Sequence, residues 1–280
     1  MLAVNFSPAL RIIFGVEGGL SDRSPAADPG GRTMMGVTQQ VFDAYQRRRG
    51  QPTRDVATIT IAEAQAVVRD LYADKVHFDD LPAGIDIFVL DGAIHSGPVQ
   101  STKWLQRALG GLTVDGNLGP ATLEAAQNYP DPDHLIEQMA DRRMAFLKAL
   151  KNWSFNKNGW TNRVNYVEHA SQALAGNIPV PVPRPTELGD FRASALDAKA
   201  PPSQAPAAAL SSTGTIGVVI TQVTDALQPV AQHFPTVGTG IAVLTAVSGL
   251  LAAAGFAYGL WVSRRRAQLA DALDQQPTAG

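Results

Sequence analysis

The sequence predicts a mainly α-helical domain with a small β-hairpin or ordered loop near its start, then a proline-rich linker and one long apolar helix. Three observations predict it. Apolar residues recur at helical spacing in the first 176 residues, as at Val67, Val68, Leu71 and Tyr72. Prolines crowd the stretch that follows, and 26 consecutive residues from Val237 to Val262 carry no charge.

The composition agrees with a folded chain. Of 280 residues, 45% are hydrophobic and 17% charged, enough for one or two domains with a sizeable core. The formal net charge of −2 creates no broad positive field, which argues against nucleic acid as a partner. The absence of cysteine excludes disulfides, thiolate zinc sites and cysteine nucleophiles, and says nothing about compartment.

Helix starts are readable in order along residues 1–176. Ser7 precedes Pro8 at a first helical position, Thr60-Ile-Ala-Glu63 forms a capping box, and Pro98 and Pro120 open two further helices. Arg47, Arg48 and Arg49 close the helix after Thr38, where cations favour the negative end of the dipole. Between Leu20 and Val37 the helical pattern breaks. Asp28-Pro29-Gly30-Gly31 is turn chemistry, since proline presets φ and the glycines tolerate positive φ.

From 177 to 210 the chain holds seven prolines among Ala, Ser and Val, a composition that favours extended, semi-rigid polyproline geometry. Residues 211–236 are an amphipathic segment that lies at a membrane surface or pairs with itself. Val237–Val262 is long enough to cross a hydrocarbon core of roughly 30 Å at about 1.5 Å per residue, and so predicts a transmembrane helix in contact with lipid. Gly255 and Gly259 are spaced for close helix approach, which raises a homodimer through this segment. Arg264-Arg265-Arg266 opens a short tail over 263–280.

By the positive-inside rule those arginines are cytoplasmic, which places the preceding domain on the outer side of a bacterial inner membrane, in the periplasm. The N-terminus lacks the basic region, apolar core and small-residue site of a Sec signal peptide. A tail-anchored topology, with the domain in the cytoplasm, is the alternative.

Glu17 is the residue to which chemistry points first. It follows Leu10, Ile13 and Phe14 on a predicted helix closed by Gly18-Gly19, so apolar neighbours and the negative helix end both push its carboxyl upward. A general acid needs such a proton. Glycoside hydrolysis in its usual two-carboxylate form asks for a second, ionised carboxyl, for which Asp28 is a candidate, with Thr33 placed to orient a water.

The string from Val16 to Thr38, with Glu17-Gly-Gly, an acidic loop, Asp28-Pro-Gly-Gly, Thr33 and Gly36-Val-Thr38, resembles the N-terminal motif of the glycoside hydrolase family 108 muramidases. The resemblance runs to about residue 176. It implies a lysozyme-like helical fold, cleavage of the β-1,4 bond between N-acetylmuramic acid and N-acetylglucosamine in peptidoglycan, and Glu17 as the catalytic glutamate. The Glu17, Asp28, Thr33 series is similar to the triad of phage T4-type lysozymes, with gaps that are not identical. Asp22 competes with Asp28 for the second carboxylate or serves in substrate binding.

Two later stretches, Asp91 to Gly97 and Lys103 to Thr122, resemble the predicted peptidoglycan-binding region of the same family. The expected division is therefore a catalytic segment over 1–95 and a binding region over 96–176. Asp91 and His95 share one helical face; without a third ligand they read as a local pair or a sugar contact, and no metal or other cofactor is expected. Trp153, Phe155, Trp160 and Tyr166 surround Lys157-Asn-Gly-Trp-Thr-Asn-Arg163, where an aromatic face and Arg163 suit a glycan subsite and core packing suits Trp160 equally. A lytic transglycosylase and a non-catalytic membrane-anchored wall-binding protein remain the alternatives to a muramidase.

Overall fold

Caps and turn residues fix where most elements begin. The structure is a computed structural model that describes residues 6–14, 32–178, 193, 197–205 and 235–274. Its helices are α1 (Phe6–Phe14), α2 (Gln39–Arg48), α3 (Ile61–Val68), α4 (Ile85–Ser96), α5 (Pro98–Leu109), α6 (Pro120–Gln127), α7 (Pro132–Ala149), α8 (Trp153–Ala175) and α9 (Pro235–Ala272). Two strands, β1 (Thr33–Met34) and β2 (Val37–Thr38), and short 3-10 or π turns at Val56–Thr58, Arg69–Ala73, Asp74–Val76 and Phe78–Asp80 complete the regular structure among the described residues.

The small sheet is an antiparallel hairpin that pairs Thr33 with Thr38 and Met34 with Val37. Its two turn residues, Met35 and Gly36, have φ of 48° and 72°. Positive φ at both positions is the geometry whose twist matches a two-residue hairpin. The expected turn at Asp28-Pro29-Gly30-Gly31 lies outside the described residues. Thr38 ends the hairpin and caps α2, its hydroxyl accepting from the Val41 amide at 3.3 Å.

Other starts follow the expected chemistry. The Thr60 hydroxyl accepts from the Glu63 amide while Glu63 accepts from the Thr60 amide at 2.9 Å, the reciprocal capping box. Pro98 and Pro120 each stand at the start of α5 and α6, where the missing N–H costs nothing. One start differs. Helix α1 begins at Phe6, so Ser7 and Pro8 lie inside its first turn, where proline is still tolerated.

The chain divides into two compact units, Met1–Lys199 with Ala272–Asp274 and Ala200–Asp271 with Gln275–Gly280. The core of the first unit forms around α4, in which every residue from Ile85 to His95 is buried. A helix apolar on all sides can only be a central one, and α4 packs against α5, α7 and α8. The approach to α5 is close at Gly92, where a Cβ would meet Ser101 Oγ at 2.5 Å. Trp104, Phe88, Phe146 and Trp160 fill the space between these helices with almost no exposure.

Helix α1 is fastened by its first residue. The Phe6 ring meets Phe78 edge-on at 5.8 Å and lies under the Arg69 guanidinium at 4.2 Å, while Arg69 also pairs with Asp79 at 2.8 Å. Ala9, Leu10, Ile12 and Ile13 are buried, so α1 is held on its apolar face up to the point where the chain enters residues 15–31.

The proline-rich stretch is not a free spacer throughout. Ala193 is buried and its amide donates to the His95 carbonyl at 2.9 Å, and Leu150 and Ala198 form an antiparallel bridge. Lys151 donates to Asp197 at 2.7 Å and Lys199 to Ala149 at 2.9 Å through their backbones. Main-chain pairing of this kind needs no particular side chains, which is why composition alone reads the segment as a linker.

In the second unit α9 is one helix of 38 residues that includes 237–262. The transmembrane expectation gains no support from it: among the described residues, no helix is long and apolar enough to cross a membrane. The homodimer expected through Gly255 and Gly259 is likewise unsupported, the structure being of a single chain.

Candidate active site

Three of the expected site residues, Glu17, Asp22 and Asp28, lie outside the described residues. The structure describes the two elements that flank them. Helix α1 delivers the chain at Phe14, and the hairpin receives it at Arg32, whose carbonyl accepts from the Gln39 amide at 2.7 Å and whose guanidinium pairs with Asp55 at 2.5 Å. Thr33, the first strand residue, is 5% exposed and fixed in register opposite Thr38.

Asp91, His95, Trp160 and Arg163 are brought together, but inside the protein. Asp91 on α4 has no exposure and faces two cations: Arg163 on α8 holds its carboxylate with Nη2 at 2.5 Å and Nε at 3.3 Å, and Arg143 on α7 approaches with Nη2 at 2.6 Å. The His95 ring meets Trp160 edge-on at 5.8 Å, and Trp160 in turn lies 6.2 Å from Trp153. A glycan contact asks for exposed surface, and these four residues have 4% or less. Buried as they are, they give the expected sugar contact no support. They fix α4 against α7 and α8.

The electrostatics of Asp91 fit that role. Burial alone would raise its pKa, but the guanidiniums of Arg163 and Arg143 outweigh it and hold the carboxyl at about 2. Asp91 is therefore a permanent anion at neutral pH and cannot serve as a general acid. Arg143 is not fully served by it. Its Nε and Nη1 find no hydrogen-bond partner among the described residues, and its guanidinium rests 5.7 Å from the Phe88 ring and 5.9 Å from that of Trp104. Aromatic faces partly replace the missing acceptors.

Asp86, at the start of α4, is the residue that sequence reasoning missed. It is 3% exposed, its Oδ1 accepts from the Ile87 amide at 2.7 Å, and burial pushes its pKa up to about 7 against the backbone hydrogen bonds that lower it. No sequence signal marks it, because its surroundings are set by the packing of α4.

The loop that resembled a peptidoglycan-binding segment spends its polar groups on itself. Gln106 of α5 donates to Asp115 Oδ1 at 2.8 Å and to the Asn117 carbonyl at 3.0 Å, and accepts from the Gly116 amide at 2.9 Å. Gly116 sits at φ 77° with Val99 where a Cβ would stand, so the turn requires glycine. Among the described residues, no group of three or more His, Asp or Glu side chains is placed to hold a metal ion.

Comparison with known proteins adds what the geometry cannot. Residues 10–97 match the family model described as Glycosyl hydrolase 108, and residues 100–165 match that of a Predicted Peptidoglycan domain. Nine chains of solved structures match. One, from the structure of Brucella abortus SagA, is 37% identical to this chain, covering 61% of this chain and 95% of that one with a TM-score of 0.55. No curated protein matches.

Proposed function

The chain belongs to the glycosyl hydrolase 108 family, and from that premise we propose that it is an N-acetylmuramidase with Glu17 as its general acid. At the coarser level it is a glycoside hydrolase of the lysozyme type with peptidoglycan as its partner. The observation that supports the finer reading is that the family match over 10–97 contains Glu17, three residues along the chain from a helix whose apolar face is buried.

In this reading the Glu17 carboxyl gives its proton to the glycosidic oxygen between N-acetylmuramic acid and N-acetylglucosamine as the bond to the anomeric carbon breaks. Asp28, or Asp22 in its place, stays ionised and faces the developing positive charge or activates water. Thr33, held by the hairpin that follows residues 15–31 in the chain, is assigned the orienting of that water through its hydroxyl. The supporting region is anchored by Asp91, Arg143 and Arg163 and contributes position, not protons.

Purified protein, wild type and Glu17→Gln, tests this on peptidoglycan. A loss of roughly 10²-fold or more in the rate of turbidity clearing is expected, the scale of a positioned acid. Products must carry a reducing muramic end. A 1,6-anhydromuramic product would replace hydrolysis with lytic transglycosylation, and undiminished clearing by the variant would move the acid elsewhere.

A place at the bacterial inner membrane, with the catalytic unit on the periplasmic side, belongs to the same proposal. Its support is the charge-free run over 237–262, the arginines beyond it and the exposed Val243, Leu250, Phe256 and Leu260 of α9. Extraction of cell membranes with alkaline carbonate tests it. Release of the full-length chain into the supernatant would remove the anchor from the proposal.

A further inference from the structure

The corner where α7 passes into α8 combines two unusual features. Phe155 is 90% exposed, the most exposed large apolar side chain among the described residues. Around it the sequence is cationic without relief, since no Asp or Glu occurs between Asp141 and Glu168. Lys148, Lys151 and, farther along α8, Lys157 are exposed, whereas of the three arginines of the stretch Arg143 and Arg163 are buried against Asp91 and Arg142 is half-buried.

The segment beyond α8 adds a fourth lysine. The bridge between Leu150 and Ala198 brings Lys199 to this corner, where its Nζ donates to the Lys148 carbonyl at 2.7 Å. Asp197 is the acid nearby, half-buried, with its carbonyl taken by the Lys151 amide. Trp153, half-buried and seated 6.2 Å from Trp160, backs the corner with a rigid ring.

We infer that this corner is a peptidoglycan-anchoring site that reads the peptide-bearing muramoyl unit, with Phe155 stacked on a sugar face and the lysines pairing with stem-peptide carboxylates. The inference rests on peptidoglycan being the substrate. A sugar ring offers an apolar C–H face that suits an exposed aromatic ring. Stem peptides offer free carboxylates on flexible arms, which suit exposed ammonium groups on equally flexible stems. A neutral glycan would offer no charge to Lys148, Lys151 and Lys199, which the bridge between Leu150 and Ala198 gathers at this corner. The site lies within the region that matches the peptidoglycan model, except for Lys199, which the later segment supplies.

The experiment uses full-length protein in a Glu17→Gln background and measures co-sedimentation with purified sacculi. Phe155→Ala is expected to weaken binding about five-fold, and Lys148→Glu with Lys151→Glu about ten-fold, with a shallower dependence on salt. All these positions are exposed, so folding is spared, and unchanged circular dichroism checks it. An amidase that releases the stem peptides leaves one lactyl carboxylate on each muramic acid in place of the several of the peptide, so on such glycan strands captured on beads the lysine effect should shrink while Phe155→Ala stays as weak.

Equal binding of all variants to intact sacculi overturns the inference. So does a lysine effect undiminished by removal of the peptides, or a loss seen only on phosphatidylglycerol vesicles, which would make the corner a lipid-binding surface. Clearing activity of the same variants with Glu17 intact separates the two readings. If the wild type cleaves sacculi yet the variants bind normally, the muramidase stands and the anchoring site falls.

Discussion

Replacing Asp91 by Asn should be among the most damaging single changes in the first unit. Asn keeps the shape and one acceptor oxygen, but it removes the single carboxylate that two buried guanidiniums face at 2.5 and 2.6 Å. Breaking a buried pair from one side costs about 3–5 kcal/mol, because the remaining charge cannot return to water. Here two cations lose their partner, so the upper half of that range is expected. Domains of this size have about 5–15 kcal/mol to lose.

Urea unfolding followed by tryptophan fluorescence is the suitable assay, since Trp104 and Trp160 are both buried beside the network. With a slope of about 2 kcal/mol per molar, the midpoint should fall by about 2 M. The triple variant Asp91→Leu, Arg143→Met, Arg163→Met should recover most of the loss, because apolar packing can replace a fully neutralised cluster. A midpoint shift below about 0.5 M for Asp91→Asn, or a triple variant less stable than the single one, would refute the reasoning.

Other outcomes follow from the same geometry. Asp91 is held at about 2, below its usual 3.8, so its contribution of about 2 kcal/mol is present at neutral pH and is lost as pH falls through 2. Asp86 works in the opposite sense. Its pKa is raised to about 7, so stability is full below pH 4 and declines as pH rises to 7. Asp86→Asn should flatten that decline and be the more stable protein at pH 8, by up to about 4 kcal/mol; urea midpoints at pH 5 and pH 8 that move in parallel for both proteins would contradict it. Ending the chain at residue 178 instead of 200 should cost about 2 kcal/mol, for loss of the three backbone hydrogen bonds made by Ala193, Asp197 and Lys199. Thermal melting of the two truncations compares them, and identical melting temperatures would show that the segment holds nothing.

Features set by neighbours in the chain were legible. The Thr60–Glu63 capping box and the prolines that open α5 and α6 each depend on residues within a few positions; a small hairpin was expected too, but its turn is Met35-Gly36 and not the Asp28-Pro29-Gly30-Gly31 that suggested it. Asp91 was legible as a special residue but not in its role, because its partners stand 52 and 72 positions away and only the packing of α7 and α8 reveals them. Asp86 gave no signal at all. The docking of residues 193–199 was hidden for another reason, since main-chain pairing leaves composition unchanged. For the proposed catalytic carboxyls the position is reversed: Glu17, Asp22 and Asp28 were named from sequence and lie outside the described residues.

Gly97, at φ 93° between α4 and α5, falls where one family match ends and just before the next begins. On paper it is a seam between two modules. Yet the helix before the seam is the hub around which the helices after it are wrapped, and its buried aspartate is satisfied only by arginines from the far side. Exchanging the second half for that of a relative would therefore orphan a charge in the interior unless both arginines came with it. Evolution and the engineer face the same constraint: these halves travel as one cassette, and chimeras should be cut after Lys199, where the first continuous unit ends.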